Sequence, residues 1–309
     1  MSTNKSINLL QEMAVFVKVV ETGSFSETAR QLGQTPSAVS RAVSRLEKVL
    51  ATRLLHRTTR KLRLSEGGKH IYAHCLDMVS ASEAVMESSG KFNDEPYGTV
   101  RISVPKAIGH YLIHPHLPEF LEKYPQINVQ MLLEDRYIDF IDDNVDAAIR
   151  ITKSPSGALM GKKLLPIDHV IVATPYYIKT HLPIQHPHDL KEHQCICLGE
   201  QPIDAKWKFV KNNKMVTVNV KGRYFANHTS IRLSAALQHL GIASLPYFVA
   251  KNALATGELI HVLPEWYFET YYSGDAWFLY PPTRYIPIKL RVLLQFLSEK
   301  LALEPILEK

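Results

Sequence analysis

Apolar positions recur at helical spacing near the start of the chain. Leu9, Leu10, Met13, Ala14, Phe16, Val17 and Val20 share one face, which predicts an amphipathic helix over about 7–20. Thr22-Gly23 ends it, and Ser24 with Glu27 has the spacing of a capping box. A second, short helix follows with Phe25, Thr28, Ala29 and Leu32 inward, and Gly33 stops it. Thr35-Pro36 opens a third: threonine is a good N-cap, and proline suits the first helical turn. Ala38, Val39, Ala42, Val43, Leu46 and Val49 form its apolar stripe, while Ser37, Ser40, Arg41, Ser44 and Arg45 lie opposite. Beyond Leu50, Leu62 and Leu64 alternate with Lys61 and Arg63, the pattern of a half-buried hairpin with its tip near Thr58 to Lys61. Ser65 then caps a long helix to about Ser89. Ile71, Cys75, Met78, Ser82 and Val85 are spaced 4, 3, 4, 3, a heptad seam that fits a partner helix or the chain's own domain.

The polar segment Lys91 to Gly98 reads as a linker. After it the period alternates between strand and helix. Strands are predicted at 99–104, 128–133, 147–151, 169–173, 207–210, 217–220, 223–226, 242–245 and 276–280. Helices are predicted at 109–124, 138–142, 176–182, 187–192, 231–240, 247–256 and 287–303. This order predicts α/β architecture in two lobes, resembling periplasmic solute-binding proteins. The expected division is a winged helix-turn-helix over 1–65, a linker and dimerisation helix over 66–91, and an effector domain over 92–309. Lobe one would take about 99–165 and 265–303, and lobe two about 166–264. Pockets in such sheets lie at the carboxyl ends of strands. That rule nominates Pro105, Lys106, Asp135, Arg150, Asn227, Thr229, Ser230 and Pro246. Lys106, Arg150 and the amides opening the helix at Thr229 would suit a carboxylate, although Arg150 also fits an internal salt bridge and Asn227 a helix cap.

Charge sharpens the picture. Residues 30–70 hold ten lysines and arginines against two glutamates, a net +8, which leaves the rest of the chain at −2. A basic segment at one end of a mildly acidic chain points to a polyanionic partner at that end. Two helices joined through a glycine turn form the helix-turn-helix pattern, and the small, cationic face of the second would enter a major groove. Ser37, Ser40, Arg41 and Arg45 are the expected base-reading residues; Arg53, Arg57 and Arg60 are the expected phosphate contacts.

From Phe16 to Gly68 the chain resembles the DNA-binding domain of the LysR-type transcriptional regulators. The matching stretches are FVKVVETGSFSETARQL, TPSAVSRAVSRLEKVL and RLLHRTTRKLRLSEGG. The resemblance continues, more weakly, to the C-terminus. Departures are Leu55 where the family usually has Phe, Ala51 where it often has Gly, and Ser65-Glu66-Gly67 where Thr-x-Ala is common. The resemblance implies pairing through the long helix, homodimers and homotetramers on bent DNA, an effector between the lobes, RNA polymerase as a partner, a cytoplasmic location and no cofactor.

The alternatives are a solute-binding protein with a helical leader, or an enzyme with an accessory DNA-binding domain. The N-terminus lacks the pattern of a secretory signal, which counts against the first. No G-x-S-x-G, G-x-G-x-x-G or P-loop supports the second. His181, His186, His188 and His193 cluster without metal-ligand spacing, and His70 and His74 lack a third ligand. Cys75, Cys195 and Cys197 read as buried free thiols.

Overall fold

The computed structural model describes residues 7–57, 62–88, 96–141, 143–283 and 285–307. The predicted hairpin tip, with Arg60, and most of the linker lie outside them; of Arg57 only the backbone is described.

Three helices open the chain: α1 (Leu10–Thr22), α2 (Phe25–Gln31) and α3 (Pro36–Leu50). Gly23 ends α1 in the left-handed region. Ser24 accepts from the Glu27 amide at 3.3 Å, but the Glu27 carboxylate turns away to Arg30 and Gln31, so only half of the capping box forms. Thr35 caps α3 through the Ala38 amide at 3.2 Å. Ala51 closes α3 with φ +49°, in the left-handed region that its Cβ disfavours. Strands β1 (Leu55–Arg57) and β2 (Leu62–Leu64) pair antiparallel as the expected wing. The wing is tied to α3, because Glu47 accepts from the amides of Leu54 and Leu55 at 2.8 and 3.3 Å.

Helix α4 (Glu66–Ser88) starts with Ser65 accepting from the Gly68 amide at 2.9 Å. A Cβ at Gly68 would collide with the Leu54 carbonyl, so glycine is what lets α4 lie against the wing. The expected seam is corrected here. Cys75 is 3% exposed and packs with Ile71, Tyr72 and Leu76 into the core around Phe16, Val39 and Leu46. Half of the heptad stripe thus closes the chain's own domain. Met78 is half-buried, and Ser82 and Val85 are exposed.

Lobe one holds a sheet ordered β4-β3-β5-β14-β6: β4 is Ile127–Leu133, β3 Gly98–Val104, β5 Ala147–Thr152, β14 Gly274–Tyr280 and β6 Met160–Ile167. Between β3 and β4 runs an irregular helix, α5 (106–123), with a π segment at Gly109–Ile113. Pro115 lies just beyond and lacks the amide that would bond Tyr111, which forces the ladder to rearrange. Helix α9 (Ile288–Leu301) packs on the same sheet through Leu293 and Leu297.

Lobe two holds β10-β9-β13-β7-β11-β8, with β12 also pairing β7. In chain order these are β7 (His169–Ala173), β8 (Cys195–Ile196), β9 (Lys206–Lys211), β10 (Lys214–Asn219), β11 (Ile242–Pro246), β12 (Ile260–His261) and β13 (Tyr267–Glu269). Helices α6 (Pro175–Thr180), α7 (Thr229–Leu237) and α8 (Tyr247–Ala255) complete it. The chain crosses between lobes at Asp168 and again at 270–273. The second crossing falls later than the expected 265, because β13 pairs β7 and β9. Two predicted elements are absent. Residues 223–226 make one isolated bridge, Cys197 to Phe225, and residues 138–141 are loop and turn held by the Asp139 and Asp143 carboxylates.

Candidate nucleic-acid interface and effector cleft

The α3 face opposite Val39, Val43 and Leu46 carries Ser37 and Arg41, both exposed, with Ser40 half-exposed. Burial of the apolar stripe fixes the helix, so these side chains point away from the core by geometry. Arg45 departs from its expected role: its Nη1 lies 3.1 Å from Oε1 of Glu12 on α1. The guanidinium therefore braces two helices. On the wing, Arg53 is exposed and its Nε donates to the Leu55 carbonyl at 3.2 Å. His56 and Arg63 face each other across the strand pair, both exposed. Arg63 was legible only as part of the basic strand, and the fold pairs it with His56 on the wing.

In the C-terminal half, several strand ends converge between the lobes. Pro105 and Lys106 follow β3, Asp135 follows β4, and Lys106 Nζ reaches Asp135 at 3.3 Å while its amide donates to the same carboxylate at 3.1 Å. Among the described residues, Arg150 makes no ion pair. It donates to the carbonyls of Ile149, Ser103 and Arg136 and to the Ser103 hydroxyl at 2.6–3.2 Å. Burial pulls its pKa down, and Asp135 and Glu134 partly offset this. From lobe two, Ser230 on the first turn of α7 meets the Tyr111 hydroxyl of α5 at 3.1 Å, a direct contact across the cleft.

The alternative role of Asn227 as a helix cap is not seen: Asn227 is exposed, and the N-cap position is His228, whose side chain makes no capping bond. Pro246 is buried where β11 pairs with His169, so it presents no surface to a solute. Two residues were missed. Tyr272, on the second crossing, is 38% exposed, and desolvation with the charges of Asp204 and Glu200 pushes its hydroxyl up to about 12. Arg232, on α7, is 6% exposed, and Thr229 contacts it at 3.4 Å. Its signal was an arginine on the inward stripe of a helix otherwise lined by Ala235 and Ala236.

Two of the clustered histidines lie against one tyrosine ring. His181 stacks on Tyr177 with centroids 3.9 Å apart, and His193 is buried beside the same ring. All three cysteines are buried, and burial raises the Cys75 and Cys197 thiols to about 11. Among the described residues, no helix is long and apolar enough to cross a membrane.

Comparison with known proteins follows the same division. Residues 10–69 match the model of the bacterial regulatory helix-turn-helix proteins of the lysR family, and residues 93–302 match the LysR substrate binding domain. The chain belongs to the LysR family. It is 51% identical over 294 residues to a probable HTH-type transcriptional regulator LtrA of Klebsiella pneumoniae, covering 95% of each chain. The HTH-type transcriptional activator TtdR of Escherichia coli K12 is 31% identical over 94% of this chain and 93% of its own. Among solved structures, CrgA of Neisseria meningitidis, a LysR-type transcriptional regulator, superposes with TM-score 0.62 at 30% identity, over 94% of this chain and 98% of that one. This LysR-type chain is thus a DNA-binding transcriptional regulator whose activity a small-molecule effector modulates. It is not an enzyme, and neither alternative reading has support.

Proposed function

We propose that α3 reads base edges through Ser37, Ser40 and Arg41, while Arg53, Arg57, Arg60 and Arg63 of the wing hold the phosphate backbone. The observation that carries this reading is the exposed hydroxyl-and-arginine face of α3, locked by Thr35 and Pro36 beside a cationic hairpin. Small side chains on that face let the helix sit deep in a major groove. Arg45 supports the reading from behind, through Glu12.

A homodimer presents two such helices to half-sites about one helical turn apart. Its seam is the outward stripe of α4. His74, Met78, Ala81 and Val85 keep the spacing 4, 3, 4; His74 and Val85 are exposed and the other two half-buried. Met78 and Val85 belong to both this stripe and the expected heptad, and Ser82 is exposed. The effector is a small carboxylate held between the lobes, and it shifts the balance between lobe arrangements that space the DNA-binding domains differently. RNA polymerase is the downstream partner, the cytoplasm the place of action, and pairing of dimers into a tetramer the working assembly. The test is a gel shift of the full-length protein on DNA upstream of its own gene. A complex that survives excess random duplex at moderate salt is expected, and complete loss to that competitor overturns the reading.

A further inference from the structure

The cations that sequence nominates as effector anchors are already engaged. Lys106 is paired with Asp135, and Arg150 is surrounded by four oxygen acceptors; Arg136, which the sequence did not nominate, is held by Asp143 at 2.6 and 3.0 Å. Arg232 is different. Its Nη1 donates to the Ser244 carbonyl at 2.7 Å, filling the place beyond the last paired residue of β8 beside β11. Its Nη2 makes one long contact, 3.4 Å to Thr229 Oγ1, and its buried Nε has no partner. Among the described residues no carboxylate lies within ion-pair distance of it. The acids whose charge it feels most, Asp204 and Glu200, stand further off, and Asp204 is occupied by the amides of Glu200 and Gln201 at 2.8 and 2.9 Å.

The geometry of the unsatisfied edge is specific. Nε and Nη2 form one side of the guanidinium fork, the side that grips a carboxylate with two parallel bonds. That edge is turned toward the first turn of α7, a nine-residue helix with no side-chain cap. A buried cation with an unsatisfied fork, beside a helix N-terminus that no side chain caps, has the chemistry to receive an anion. One further buried polar atom without a partner, His169 Nδ1, stands at the start of β7, next to the first lobe crossing.

We propose that Arg232, together with the opening amides of α7, is the receptor for the carboxylate of the effector, in place of Lys106 or Arg150. This rests on the effector-modulated reading above. An incoming carboxylate displaces the long Thr229 contact, takes both N–H groups of the fork, and accepts from the helix amides. Because α7 also carries Ser230, which touches Tyr111 of lobe one, occupation of the receptor acts directly on the contact between the lobes.

The test uses the full-length protein and thermal unfolding in a panel of acetate, benzoate, succinate, 2-oxoglutarate, phosphate and sulfate, each against chloride at equal ionic strength. At least one carboxylate should raise Tm with a saturable concentration dependence. Arg232→Met should abolish that rise, Arg232→Lys should weaken it by about an order of magnitude through loss of the fork, and Lys106→Gln should retain it. An unchanged response in Arg232→Met, a response to phosphate or sulfate alone, or no response to any carboxylate overturns the proposal. Should Arg232→Met not fold, the Nε–H resonance of Arg232 in the 15N-arginine-labelled native protein is the readout. It should move downfield on adding the stabilising carboxylate, and a stationary signal overturns the proposal. Duplex binding by the same preparation is scored separately, so failure of the DNA-binding reading is distinguishable from failure here.

Discussion

Arg45 Nη1 lies 3.1 Å from the carboxylate of Glu12, joining α3 to the first helix of the domain. The glutamate side chain is only 11% exposed, whereas that of Arg45 is 63% exposed. Removing the arginine leaves a nearly buried carboxylate without its partner. Arg45→Ala is therefore expected to cost about 1 kcal/mol of stability, a modest figure because solvent reaches the guanidinium. Chemical denaturation reads that loss, and competition binding should show base preference intact.

Arg41 and Arg53 should fail differently. Arg41→Ala should relax preference at one position of each half-site, costing roughly 1–3 kcal/mol against the best duplex and little against random DNA. Arg53→Ala should weaken all duplexes alike and lower the slope of log affinity against log salt by about one phosphate contact. Salt titrations on specific and random duplexes separate the two.

Ala51 occupies a conformation suited to glycine, with φ +49°. Ala51→Gly relieves a cost of about 1–2 kcal/mol in the folded state, and the greater freedom of glycine in the unfolded chain returns about 0.4–1 kcal/mol of it. A net stabilisation of roughly 0–1.6 kcal/mol is expected, read as a higher midpoint in urea. A clearly destabilising result would mean that the α3 terminus is not left-handed in solution.

Acid should weaken lobe two. Burial pulls His169 down to about 3, aided by the nearby Arg232 charge, and burial also lowers His193 and His261. These imidazoles are neutral in the fold and protonate more readily in the unfolded chain. The stability they confer is complete above the ordinary histidine pKa of about 6.5 and declines as pH falls from there toward 3. Urea midpoints at pH 7.5 and 5 should fall in that order, and His169→Gln should flatten the difference.

The winged helix was legible because its signals are local. Thr35-Pro36 caps a helix whatever surrounds it, and the stripe of Val39, Val43 and Leu46 allows one inward face. The seam on α4 was not legible in full, since a heptad stripe shows that Cys75 is buried without showing by what. Strand β6 escaped notice because Met160 to Lys163 lie exposed at a sheet edge and carry no alternation. The effector cleft was legible only as a set of strand ends. Which cation stays open depends on contacts far apart in sequence: Lys106 with Asp135, Arg150 with Ser103, Arg232 with Ser244.

The helix opening at Pro36 is expected to read DNA sequence. The most direct measurement is selection from a random duplex library by the full-length protein, repeated with Arg41→Ala. The account predicts enrichment of a two-fold symmetric site with half-sites about one helical turn apart or a multiple of it, and loss of information at one position per half-site in the variant. A library that emerges unenriched, or one enriched identically by both proteins, would contradict it.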